Sequence, residues 1–308
     1  MANIYLALEK VAKRNVTVRR GDGMPPAQDA MMQRRRLKSE LRRIRTKAGF
    51  RQQDVAEAMD WSLSKLIRLE SSGKVATSDL RALLQHYKVV DQKEIERYVA
   101  MARASKEEGW WSKYREATSP EFLTFLGYEY SASAIYQFEP QLIPGQLQDK
   151  EYAREVLAAY GGPATSTRLE EWVELRLERQ YELFERATPA EMNFVLDEAV
   201  LHRWVRGRDV MRRQLKHLKE YATRDHVTIE IVPFRAGAHP GMKGPFVILE
   251  FSEFDDVLYL ENSRGSMVSR DKQDEIETYR ESFDQLQKHA KGEGLEEIVD
   301  RVLKEVSG

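Results

Sequence analysis

Between Arg34 and Tyr87 the apolar positions fall into short helical runs separated by tight turns. Leu37, Leu41 and Ile44 recur at i, i+4 and i+7, predicting a helix that stops near Gly49. Val55, Ala56 and Met59 line one face of a second helix. Ser62 is placed to cap a third, with Leu66 and Leu69 turned inward, Ser64, Lys65 and Arg68 left outside, and Gly73 at the exit turn. A fourth helix runs from a Thr77 or Ser78 cap through Leu80, Leu83, Leu84 and Tyr87. A fifth spans 92–106 on Ile95, Tyr98, Val99 and Ala102.

The flanking pattern differs. Ile4, Leu8 and Val11 have helical spacing, but Arg20-Gly21-Asp22-Gly23-Met24-Pro25-Pro26 breaks it, so residues 1–33 read as an irregular extension in which Met24 and Met31 are alternative starts. Residues 109–160 are rich in aromatics and read as helical, interrupted at Glu139-Pro140 and Pro144-Gly145. After Gly161-Gly162-Pro163 a long charged helix carries Leu169, Trp172, Val173, Leu177, Tyr181 and Phe184. Strand-like segments follow at 192–196, 227–233, 246–251 and 257–260, with a helix on Met211, Leu215, Leu218 and Ala222 between the first two. The last long helix, on Ile276, Tyr279, Phe283, Leu286 and Ala290, has 3-4-3-4 spacing that suits a sheet, a neighbouring helix or a dimer interface. The expected fold is α+β: an extension (1–33), an all-α helix-turn-helix bundle (34–106), and a larger α+β domain (107–308). In that domain a small, mostly antiparallel sheet is flanked by helices.

Charge sharpens this division. The net charge of the 308 residues is −1, yet residues 1–78 hold 17 Lys and Arg against 8 Asp and Glu, and the remainder holds 32 against 42. A basic module for a polyanion is joined to an acidic one. The absence of cysteine excludes disulfides, thiolate zinc sites and a thiol nucleophile, and fits a reducing compartment. No apolar run approaches the roughly 18 residues that span a bilayer, and Glu9 and Lys10 interrupt the only apolar N-terminal stretch. The expectation is a cytoplasmic, nucleoid-associated protein without membrane contact.

The spacing from Gln52 to Gly73 suits a helix-turn-helix, in which a braced first helix and a tight turn present the outer face of a second helix to the major groove. Gln52, Val55, Ala56, Ser62, Leu66, Arg68, Glu70 and Gly73 resemble the Xre-type, phage-repressor-like family over about 37–90. Arg51 stands where that family often has Thr, Asp60 where it has a turn Gly, and Ser71-Ser72 lengthens the approach to Gly73 by one residue. The resemblance places Leu63, Ser64 and Arg68 at base edges: Leu63 on a thymine methyl, Ser64 on a base hydrogen bond, Arg68 forked onto guanine. Arg68 has a rival role, as a pair for Glu70 or Glu57 or as a phosphate contact. Gln52 at a helix N-terminus is a phosphate candidate with the backbone amides, and Arg51, Lys65 and Lys74 are others. Arg34, Arg35 and Arg36 form a basic cluster, read either as a solvated face or as phosphate attraction.

No catalytic constellation declares itself in the acidic half. His86, His202, His217, His226, His239 and His289 show none of the short spacings of common metal sites, and no cofactor is expected. The glycine-rich run 235–244 around His239 lacks a phosphate-binding pattern and reads as a loop joining two strands, or as a cover for a ligand. Glu170, Glu171, Glu174 and Glu178 read as a solvated helix face. Trp110, Trp111 and Tyr114 are either core or one wall of a ligand or peptide groove, to which Glu139 and His239 are added as candidates.

Four motifs carry a second resemblance: Gly109-Trp110-Trp111-Ser112-Lys113-Tyr114, the run 136–148 from Tyr136 to Gln148, Asp197-Glu198-Ala199-Val200-Leu201, and Gly244-Pro245-Phe246. In this order behind a helix-turn-helix they resemble the WhiJ-like, antitoxin-like regulators of actinobacteria, over about 34–290. The resemblance implies a DNA-binding regulator with a large C-terminal domain of unknown function, often encoded beside a small protein that serves as its partner. The expected protein is thus a non-enzymatic, sequence-specific regulator that binds a double-stranded operator as a homodimer. Its C-terminal domain is expected to receive a small-molecule ligand or protein signal. The competing readings are an antitoxin-like module that binds a small partner with DNA binding secondary, and an enzyme domain fused to a DNA-binding head.

Overall fold

The computed structural model describes residues 26–160, 166–262, 265–269 and 273–307. Five helices form the N-terminal bundle: α1 (Pro26–Lys47), α2 (Gln52–Ala58), α3 (Leu63–Ser72), α4 (Thr77–His86) and α5 (Gln92–Ala104). The apolar positions that predicted them meet in one core of Leu37, Leu41, Ile44, Val55, Leu66, Leu69, Leu80, Leu83, Leu84, Tyr98 and Val99. Each such side chain taken from water contributes on the order of 2 kcal/mol. The Ser62 hydroxyl accepts the Lys65 N–H at 3.2 Å and so starts α3, and the Asp91 carboxylate does the same for α5 from the Lys93 N–H at 2.9 Å.

The second part comprises α6 (Pro120–Ser131), β1 (Ala134–Glu139), α7 (Lys150–Tyr160), α8 (Ser166–Phe184), β2 (Glu191–Asp197) and a short α9 (Ala199–His202). It continues with α10 (Arg208–Tyr221), β3 (Val227–Val232), β4 (Phe246–Glu250), β5 (Val257–Asn262), β6 (Gly265–Ser269), α11 (Gln273–Ala290) and α12 (Leu295–Ser307). The strands build one six-stranded sheet in the order β3-β2-β1-β4-β5-β6. It is mixed: β1, β2 and β3 run parallel, while the β1–β4, β4–β5 and β5–β6 pairs are antiparallel. The α+β expectation holds, and the sheet is mostly antiparallel as foreseen, with three antiparallel pairs against two parallel ones.

The pleat divides the core. Ile135, Met192, Phe194, Leu196, Ile229, Val247, Leu249, Val257 and Tyr259 face the side covered by α6, α7, α8, α10 and α12. Phe138, Val195, Phe246, Ile248 and Leu258 face α11, which meets them with Ile276, Phe283, Leu286 and Ala290. The 3-4-3-4 stripe of α11 is therefore spent on the sheet, and its expected alternative as a dimer interface is corrected to internal packing.

Three elements depart from the sequence pattern. β1 lies in the stretch read as helical; α12, with Ile298, Val299, Val302 and Val306 fully buried, was not foreseen, nor was β6. The helix expected to begin at Arg34 begins at Pro26, a residue whose fixed φ suits a first turn. The boundary at residue 33 thus cuts a helix, and Met31 sits within it, its Cε directed at Gly127, where an added Cβ would come within 2.5 Å. The rest of the predicted extension, residues 1–25, lies outside the described residues. On α8, Val173, Leu175, Leu183 and Phe184 are buried, whereas Tyr181 of the predicted stripe is half exposed.

Candidate nucleic-acid interface

The turn between α2 and α3 is made by Asp60 in the left-handed region at φ +55°, a conformation an Asp tolerates better than most side chains. It performs the task of the turn glycine it replaces. At the other end of α3, Gly73 caps the helix at φ +65°. A Cβ there would lie 2.3 Å from the Arg34 carbonyl oxygen, so glycine is also what lets α3 close onto α1. Between these fixed ends α3 buries Leu66, Leu69 and Glu70 and leaves Leu63, Ser64, Ile67 and Arg68 facing outward. Leu63 and Ile67 are 42% and 44% exposed. Ile67 was absent from the candidates, although its i+4 spacing from Leu63 was readable.

The Glu70 carboxylate, 5% exposed, accepts from Arg45 at 2.7 and 3.2 Å and from Gln52 Nε2 at 2.8 Å; Arg45 also donates to the Phe50 carbonyl at 2.9 Å. Burial first and the Glu70 charge second push the nearby Tyr87 phenol above its ordinary range. Gln52, expected to hold phosphate, is thus committed to an internal brace, because a buried carboxylate must have its lone pairs satisfied. The pairing of Arg68 with Glu70 or Glu57 does not occur: Glu70 is taken by Arg45, and Arg68 is exposed with no ion pair among the described residues.

The other cations divide sharply. Arg51 and Lys74 are exposed, and neither side chain forms an ion pair among the described residues. The charge of Arg34, followed by partial burial, lowers the Lys74 pKa. Lys65 lies 3.7 Å from the centre of the Trp61 ring and 3.3 Å from Asp79 Oδ1, so it is held along the head rather than projected from it. Arg34, half-buried with its pKa lowered by desolvation, donates to the carbonyls of Ser105 at 2.5 Å and Glu107 at 3.0 Å. Arg35 donates to the Asp255 carbonyl at 2.6 Å and lies 4.5 Å from the Phe251 ring and 4.8 Å from that of Phe254. Arg36 pairs with Glu253. The arginine cluster is engaged within the protein rather than left free on its surface: it fastens α1 to the end of α5 and to the acidic loop between β4 and β5.

The candidates in the second half also fall inward. Trp111 and Tyr114 are buried and Trp110 half-buried against the main core. The Tyr114 hydroxyl donates to Glu178 Oε2 at 2.5 Å, so that glutamate is not merely solvated. These aromatics are core, not a groove wall. Glu139, at the end of β1, accepts from Gln137 Nε2 at 2.8 Å. His239 lies 3.2 Å from Asp197 through Nε2 and edge-on to Phe138, with its side chain 5% exposed. It pins the 233–245 loop across the ends of β1 and β2, where the sequence suggested a flexible link or ligand cover.

The run 136–148 also has a structural account. Gln146 donates to Glu129 and Gln137, both at 2.8 Å, and Arg179 forks onto Glu129 with two bonds of 2.6 Å. Gln180 donates to the Gly145 and Gln148 carbonyls, and Gln214 to that of Leu147. Its polar residues satisfy irregular backbone that crosses the core. Among the described residues no cluster of three or more His, Asp or Glu could hold a metal ion, and no helix is long and apolar enough to cross a membrane.

A braced helix-turn-helix with an outward α3, fastened to an α+β domain, has a regulator-like architecture suited to DNA binding. Comparison with known families agrees: residues 36–97 match a helix-turn-helix domain, and residues 122–294 match the domain of unknown function DUF5753. The second match covers more than half of the chain, which therefore belongs to the DUF5753 family. No curated protein and no solved structure matches it.

Proposed function

We propose that this protein is a sequence-specific transcriptional regulator that binds a double-stranded operator through α3. The carrying observation is the outward face of α3, where Leu63, Ser64, Ile67 and Arg68 stand free on a helix fixed at both ends by Asp60 and Gly73. Arg51 and Lys74 flank it as phosphate contacts. One short helix reads few base pairs, so two copies of the chain acting on paired half-sites supply the specificity. With α11 spent on the sheet, its 3-4-3-4 stripe does not serve as their interface. The DUF5753 domain, joined to the head through α1, is the receiver of a ligand or protein signal and not an enzyme. The motif order keeps the WhiJ-like, antitoxin-like subfamily as the reading of its kinship.

The test is binding of the full-length protein to DNA from its own promoter region, titrated with salt beside an unrelated duplex of equal length. Tight binding to the promoter alone, protecting two half-sites about one helical turn apart, is the expected result. Equal weak binding to both duplexes leaves only the electrostatic contribution and defeats sequence specificity.

A further inference from the structure

We propose that Ile67 is a specificity-determining residue, and that with Leu63 it reads thymine 5-methyl groups in the major groove. The half-site bound by α3 then carries thymine beside the base read by Ser64 and Arg68. This rests on the DNA-binding reading above and gives it a substrate chemistry.

The argument starts from an apolar surplus. Leu66 and Leu69 already turn α3 into the core, at 0% and 6% exposure. Leu63 and Ile67 form a second apolar row on the exposed flank of the helix beside that core face, one helical turn apart. Among the described residues the exposed large hydrophobics are Leu63, Ile67, Val90, Tyr181, Trp204, Phe234 and Met242, and only the first two share a helix face. A single exposed aliphatic needs no explanation, but an aligned pair on the face that meets a ligand does. Ser64 and Arg68 form a parallel row, also at i and i+4, so the face offers an apolar track beside a hydrogen-bonding track.

In the major groove the apolar feature that distinguishes one base pair from another is the thymine methyl, and aliphatic side chains read it by contact. The surroundings select DNA over a second protein as the occupant. Arg68 stands on the same outward side of α3 as the row, in a segment (residues 1–78) with 17 cations against 8 anions.

The test uses the full-length protein and a randomised duplex library to select its preferred half-site. Each thymine in that half-site is then replaced singly by deoxyuridine, which removes the methyl group and leaves every hydrogen-bonding atom. The wild-type protein is expected to lose affinity about three- to fivefold at one or two positions, the weight of a methyl contact. At one of these, Ile67→Ala is expected to bind thymine and uracil duplexes equally while keeping the preference assigned to Arg68. Because Ile67 is outside the core, the variant keeps its fold, which a thermal melt verifies. A half-site without thymine, equal binding of thymine and uracil by the wild type, or undiminished discrimination by Ile67→Ala overturns the proposal. Failure to select any sequence is a different result: it overturns the operator-binding reading on which this one stands.

Discussion

Gln52 Nε2 lies 2.8 Å from Glu70 Oε2, joining the first residue of α2 to the buried side of α3. The same carboxylate holds Arg45 of α1. One anion therefore sets the relative positions of three helices, and it does so behind the face that would meet DNA. A residue type suited to phosphate at a helix N-terminus is used here to orient the recognition element.

Removing that anion has a definite cost. Glu70→Ala leaves the Arg45 guanidinium buried without its counter-charge, and the head is expected to lose about 3–5 kcal/mol. Gln52→Ala removes one hydrogen bond while the ion pair remains, and is expected to cost about 1–2 kcal/mol. Urea melts of the full-length protein check both. If Gln52→Ala instead leaves the melt untouched and weakens DNA binding, Gln52 is a phosphate ligand after all.

The two ends of α3 respond oppositely to changes at their left-handed positions. Gly73→Ala combines φ +65° with a Cβ only 2.3 Å from the Arg34 carbonyl oxygen, so α3 must move off α1; a loss above about 2 kcal/mol is expected. Asp60→Gly relieves the strain at φ +55° and is expected to stabilise the head by up to about 1 kcal/mol. Denaturant midpoints for the pair provide the comparison.

Two histidines give the fold a pH dependence of known sign. Burial lowers the pKa of His217, and burial followed by the charge of Arg224 lowers that of His226, both from 6.5. Between the folded and unfolded values the unfolded chain binds more protons, so stability is fully present above pH 6.5 and is lost as pH falls below it. The melting temperature is expected to drop between pH 7.5 and 5.5, and to drop less in a His217→Gln, His226→Gln double variant. Parallel curves for the two proteins across that range would remove these histidines as the cause.

What the sequence disclosed follows the range of the interactions involved. The helix-turn-helix was legible because its determinants are local: the Ser62 cap, the i, i+4 aliphatics, Gly73. β1 was hidden because Gln137, a polar residue, sits buried in the middle of it, satisfied by Gln146 and Glu139 only once the fold has formed. α12 was readable from Ile298, Val299, Val302 and Val306, whose spacing repeats the helical period. The fates of the candidate cations were not readable, since Arg35 and Arg36 find partners more than 200 residues away. Charge counts show how many cations a segment has, but not which of them the fold has already used.

That last distinction can be measured on DNA. Each phosphate neutralised by a cation adds about 0.9 to the slope of log affinity against log salt concentration. Arg51 and Lys74 are exposed without ion-pair partners among the described residues, so Arg51→Ala and Lys74→Ala are each expected to lower the slope by roughly that amount, alike on any duplex. Arg34, Arg35 and Arg36 are held by Ser105, Glu107, Asp255 and Glu253. Their alanine variants are expected to leave the slope unchanged while loosening α1 from α5 and from the 252–256 loop, seen as faster amide exchange along those elements. A slope reduced by Arg36→Ala would mean that the Glu253 pair opens to release its arginine to phosphate. The acidic loop would then compete with DNA for the head, and the fastening would itself become the point at which the DUF5753 domain governs binding.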